Sequence, residues 1–126
     1  MKIALDSKRL FNNPTGLGNY SRTIAHNFLK FIPEADLYLC VPKIKKNRLN
    51  EQFLEDKRYK IIQKLKKTPF WRSYFIINDL KKIINRKNIL VIHTNSENNI
   101  YNKELNFIEE GVYGVSKIYF AKLNLT

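Results

Sequence analysis

Four short apolar runs, separated by stretches of helical character, constrain the fold of this chain more than any other feature. They are Lys2-Ile3-Ala4-Leu5-Asp6, Leu37-Tyr38-Leu39-Cys40-Val41, a weaker run near Tyr59 to Gln63, and Ile89-Leu90-Val91-Ile92-His93. Each reads as a strand, and Lys117 to Leu125, where Tyr119, Ala121 and Leu123 alternate with Ile118, Phe120 and Lys122, reads as a last one. Between the first two, Tyr20, Ile24, Phe28 and Phe31 recur at helical spacing and form an apolar stripe. Asn19 or Ser21 is placed to cap that helix and Pro33 to stop it, so it is expected from about residue 19 or 21 to 32. A second helix is expected from about Pro69 to Asn85, with Tyr74, Ile77, Leu80 and Ile84 on one stripe. Strands alternating with helices imply crossover units. The expected fold is therefore α/β, a Rossmann-like parallel sheet flanked by helices. The 126 residues suffice for a single domain with its own core, assigned to 1–126.

In such sheets ligands bind beyond the carboxyl ends of the strands. The 7–18 loop and His93 both stand there. The loop carries turn chemistry at Asn12, Asn13, Pro14, Gly16 and Gly18, and Thr15-Gly16-Leu17-Gly18-Asn19-Tyr20 opens the helix. A helix start bears unpaired N–H groups and the positive end of the dipole, so it holds an anion without a charged side chain. Glycine lets the main chain come close to a bulky phosphate. Gly16, Leu17, Gly18 and Asn19 are the expected anion-binding residues. Asp6, Arg9 and His93 are further candidate site residues at the same edge. Plainer roles compete with each of these. Asp6 at a strand end commonly bonds loop backbone, a lone histidine after an apolar strand is commonly structural, and Arg9 and Arg22 are either phosphate partners or solvated.

The net charge of +12 points to an anionic partner. The region 43–67 is densely basic, with only Glu51, Glu55 and Asp56 in opposition. It is a solvated face, a surface for an anionic membrane, or a nucleic-acid contact. No helix-turn-helix, zinc-finger or aromatic RNA-binding signature supports the last. Two histidines and one cysteine give no metal site of known spacing, and Cys40 reads as an inert core residue. The first residues have no long apolar core, and the single cysteine excludes an internal disulfide, so a cytoplasmic location is expected.

Met1 to Tyr20, with Ser21-Arg22-Thr23, resembles the start of the retaining glycosyltransferases of family 4, the group 1 set with the two-domain GT-B fold. Asp36 to Lys43, Phe70-Trp71-Arg72-Ser73, Asp79 to Lys82, and Ile92-His93 followed by Ser96-Glu97-Asn98 extend the resemblance over residues 1–98. It implies an acceptor-side N-terminal domain whose glycine-rich loop, here Gly16 and Gly18, approaches the diphosphate of a nucleotide sugar across the interdomain cleft. The implied partners are that nucleotide sugar and a glycan or lipid-linked acceptor, with no separate cofactor. The family's closely spaced glutamate pair has no counterpart: the positions after Glu97 and Glu104 where a second glutamate would stand hold Leu105 and Val112. Gly114 to Phe120 occupies the place of a histidine-bearing strand end but has no histidine. The expectation is an incomplete GT-B N-terminal domain, inactive alone, with a bare sheet edge that promotes self-association. The rival expectation is a non-catalytic basic module for nucleic acid or an anionic membrane surface.

Overall fold

The computed structural model describes residues 1–63, 80–82, 84, 87–95, 103, 105–113 and 116–123. Strand β1 (Lys2–Asp6) leads into a short helix α1 (Lys8–Asn12) and then α2 (Gly16–Phe31). Strand β2 (Asp36–Val41), helix α3 (Glu51–Glu55) and strand β3 (Tyr59–Gln63) follow. A 3-10 turn at Leu80–Lys82 precedes β4 (Ile89–Asn95), β5 (Leu105–Tyr113) and β6 (Ser116–Leu123). The helix expected over 69–85 lies outside the described residues, apart from that turn and Ile84, which is buried.

The six strands form one mixed sheet in the order β3-β2-β1-β4-β6-β5. β1 is central and runs parallel to both neighbours, with Ala4 opposite Tyr38 of β2 and Leu90 of β4. A strand with both edges and both faces covered must be apolar throughout, and Ile3, Ala4 and Leu5 are almost wholly buried. Alternation along the strands divides the core into two layers. Ile3, Leu5, Leu37, Leu39, Val41 and Val91 pack with residues from all three helices, among them Phe11, Leu29 and Phe53. Ala4, Cys40, Leu90, Ile92, Tyr119 and Ala121 face the other way, onto Leu80 and Ile84. Full burial of each such leucine or isoleucine contributes roughly 1.5–3 kcal/mol.

The wholly parallel sheet expected from the alternation of elements is corrected. Four strands are parallel, but β6 runs antiparallel to both β4 and β5. Only Gly114 and Val115 separate β5 from β6. A two-residue connection can join antiparallel neighbours only, because a parallel return needs a crossover of a dozen or more residues. The hairpin lies along β4, so the outer strands of the sheet are β3 and β5.

Two expectations for the first helix are also corrected. It begins at Gly16, so Asn19 and Ser21 lie inside it and Thr15 occupies the cap position. Its buried face is Gly18, Ser21, Arg22, Ala25 and Leu29, while Phe31 is 71% exposed. Tyr20, Ile24 and Phe28 flank that face and are only partly buried. The small residues let α2 lie close against its neighbours, so the closest contact falls beside the large apolar stripe.

Burial is the largest influence on Cys40, pushing its thiol well above the ordinary range, and the Asp6 carboxylate acts in the same direction. Native protein at pH 8 is expected to leave Cys40 unmodified by a thiol reagent, with one equivalent reacting after denaturation. Full reaction of the folded chain would contradict this burial. The sign for stability follows. Below the ordinary thiol value of about 8.5 the proton stays bound in both states. As pH rises past that value the unfolded chain loses the proton first, and stability falls.

Candidate functional site

The carboxyl ends of β1 and β4 and the start of α2 share one edge of the sheet. The turn from α1 to α2 is held by Arg22, which reaches back from the second turn of α2. Its Nη1 donates to the carbonyl oxygens of Leu10, at 2.9 Å, and Asn13, at 3.0 Å. Its Nη2 donates to Asn19 Oδ1. The side chain is 6% exposed, and burial lowers its pKa from the ordinary guanidinium value. Its hydrogen-bond partners among the described residues are all neutral oxygens. Arg22 is thus neither solvated nor a phosphate contact in this conformation. It is a buried cation that shapes the loop.

The two glycines differ. Gly18 is buried, and a Cβ added there would collide with the Asn13 carbonyl. Gly16 is exposed, and nothing stands within 4 Å of a Cβ built on it. Only Gly16 therefore leaves open space in front of the main chain. No side chain caps α2, and its first turn has no acidic residue. Thr15, the residue placed to cap it, instead donates its N–H to Asn13 Oδ1 at 2.8 Å and its hydroxyl to the same oxygen. The first intrahelical bond runs from Asn19 N–H to Thr15 O at 3.0 Å, so the Asn19 amide is used within the helix. The turns of Gly16, Leu17 and Gly18 thus come before the ladder begins.

His93 lies near the carboxyl end of β4 and is 1% exposed. Its ring meets Tyr20 of α2 with centroids 5.5 Å apart at 57°. The structure therefore brings His93 to the first turns of α2, against the Tyr20 ring. Asp6 ends β1 and is 5% exposed. Its Oδ1 accepts the Lys8 N–H at 3.4 Å, the loop-backbone bond common for an aspartate at a strand end. Ser7 follows, donating its N–H to Cys40 O at 2.8 Å and so tying the β1 end to β2. Arg9 lies on α1 and is partly buried. The hydrogen bonds seen at the α2 start involve Arg22 and Asn13.

Asn13 reads from the sequence only as turn chemistry and Tyr20 only as part of an apolar stripe; neither stands out there as a site residue. A short polar residue before Pro-Thr-Gly is also a signal for an Asx turn, which gives the Asn13 side chain the role it has here. Nothing in the sequence marks Tyr20 as the neighbour of a residue on a distant strand.

Among the described residues no group of histidine, cysteine and acidic side chains is placed to hold a metal ion. No helix among them is long and apolar enough to cross a membrane. No protein-family model matches the chain, and no curated protein matches it.

Proposed function

We propose that this chain is the acceptor-side N-terminal domain of a family 4-like GT-B glycosyltransferase. In the full-length enzyme it would serve transfer of a sugar from a nucleotide-diphosphate sugar to a glycan or lipid-linked acceptor, with retention. The observation that carries this reading is the start of α2. That helix is uncapped, free of acidic residues in its first turn and backed by the buried Arg22 cation, at the carboxyl edge of parallel strands. Such a helix start favours anions. Donors fixed in place are most effective where charge develops, here on the departing diphosphate. Main-chain N–H groups of Gly16, Leu17 and Gly18 are the donors in this reading. Asn19 acts through its side chain, which engages Arg22. Asp6, Arg9 and His93 belong to the acceptor side. The nucleotide sugar is the substrate, no cofactor is invoked, and the setting is the cytoplasm at the inner face of a membrane. Without the paired glutamates of the family's donor domain, these 126 residues bind the diphosphate without turning it over.

The test is amide NMR with uridine diphosphate. Shifts concentrated on Gly16, Leu17 and Gly18 are expected, with a dissociation constant on the order of millimolar, because one helix start supplies only a fraction of a full site. Gly16→Val is expected to remove them. No shift at those amides in millimolar diphosphate would sink the proposal, and nucleotide-sugar turnover by the purified chain would sink its inactivity. The rival basic module predicts that Gly16→Val leaves polyanion binding intact and that diphosphate leaves these amides undisturbed.

A further inference from the structure

The segment joining β2 to α3 is a second built feature of the same sheet edge. Three asparagines hold its backbone. Asn12, at the end of α1, donates from Nδ2 to Lys43 O at 2.7 Å and accepts the Lys45 N–H on Oδ1 at 3.1 Å. Asn50 is fully buried and donates to Phe11 O at 2.7 Å and Lys45 O at 3.0 Å. Asn47 accepts the N–H groups of Leu49 at 2.9 Å and Asn50 at 3.1 Å, and gives its own N–H to Asn50 Oδ1 at 3.0 Å. The backbone is thus fixed without helix or strand.

What this bracket presents is charge. Lys43, Lys45, Lys46 and Arg48 are all exposed, and Lys8, four residues before Asn12 on α1, is exposed too. Lys46 reaches Glu51 at 3.9 Å, with both side chains largely in solvent, a geometry that neutralises little. Lys8, Lys43, Lys45 and Arg48 have no carboxylate partner among the described residues. A mobile loop would let like charges spread apart, whereas this one holds them together. Leu49, 41% exposed, stands at the end of the cationic run.

We propose that the 43–49 loop, with Lys8, is a docking surface for an anionic lipid bilayer, the cations meeting headgroups and Leu49 entering the headgroup boundary. Cationic side chains around an exposed apolar residue are the chemistry of peripheral membrane contact. A nucleic-acid surface is less well matched. The loop contains no aromatic side chain on which a base could stack, and an exposed leucine adds nothing to phosphate contact. The loop follows the carboxyl end of β2, so docking brings the edge bearing the α2 start to the bilayer. The proposal does not depend on the glycosyl-transfer reading.

The experiment is co-sedimentation of the whole chain with phosphatidylcholine vesicles, with and without phosphatidylglycerol. Binding is expected only when the anionic lipid is present, and it is expected to vanish in about 0.5 M salt. Each basic residue near an anionic surface multiplies partitioning roughly fivefold, so the triple variant Lys43→Glu/Lys45→Glu/Arg48→Glu should lose roughly 100-fold or more. The charge-matched control Lys2→Glu/Lys30→Glu/Lys57→Glu, at the opposite edge of the parallel strands, should lose less than about tenfold. Leu49→Ser should weaken binding several-fold with net charge unchanged. Circular dichroism checks each variant, and glutamine replacements at 43, 45 and 48 take the place of the loop triple if it fails to fold. Equal binding to neutral vesicles, equal loss in both triples, or displacement from anionic vesicles by a polynucleotide that binds more tightly at the same salt would each overturn the proposal.

Discussion

Gly18→Ala is expected to lower the melting temperature by roughly 10 °C, whereas Gly16→Ala should change it by no more than about 3 °C. The two glycines stand two residues apart in the same helical turn, and propensity alone would make alanine the better residue at both. The difference lies in what each meets. At Gly18 the new methyl group runs into the main-chain carbonyl of Asn13, with the Arg22 guanidinium 3.0 Å away. Neither can yield without breaking the bonds that close the α1–α2 turn. Overpacking against backbone costs about 3 kcal/mol. At Gly16 there is open space. Thermal melts by circular dichroism decide the matter, and a Gly18→Ala protein as stable as the parent would remove the steric account of this loop. The pair also separates roles. Gly18 is required by the fold, so its loss says nothing about a ligand, and only substitutions at Gly16 report on the anion.

Arg22→Ala carries the second large effect, a loss of about 3 kcal/mol in urea unfolding. Truncation removes three charge-assisted hydrogen bonds and strands the carbonyls of Leu10 and Asn13 in a site with little access to water. Arg22→Lys is expected to recover less than half of this. One ammonium lacks the planar fork that reaches two carbonyls from one nitrogen and Asn19 from the other. In the alanine variant the amides of the first turn of α2 should exchange with solvent faster, while those of β1 and β4 keep their rank. A loss below about 0.5 kcal/mol would mean that the turn is closed by packing alone.

The parallel half of the sheet was legible because its strands are buried on both faces. Residues 2–6 and 59–63 were read with the observed bounds, and 37–41 and 89–93 were one and two residues short. The hairpin was legible only in its second strand, expected over Lys117 to Leu125 and observed at Ser116–Leu123. Leu105 to Tyr113 contains Glu109, Glu110 and Gly111, which break the alternation, and a register shift near Ile108 changes the phase of what remains. The start of α2 was misplaced because Gly16 and Gly18 read as helix breakers. Packing against Asn13 outweighs their propensity, and that contact appears only when the chain is folded. The sequence located Asp6, Gly16 and His93 at one sheet edge, since strand ends follow from the strands. It gave no means of telling a solvated Arg22 from a buried one, because burial there depends on the short helix 8–12, which was read as loop.

The position of β4 has a consequence for cooperativity. It pairs parallel with β1 on one side and antiparallel with β6 on the other. Among the described residues no other backbone ladder joins the βα half of the molecule to the hairpin. One strand is therefore the seam between two pieces that fold under different rules, one needing crossovers and the other only a tight turn. Among the described residues the hairpin pairs with the rest of the sheet only through Leu90 to Asn95, so unzipping that ladder would release both of its strands together.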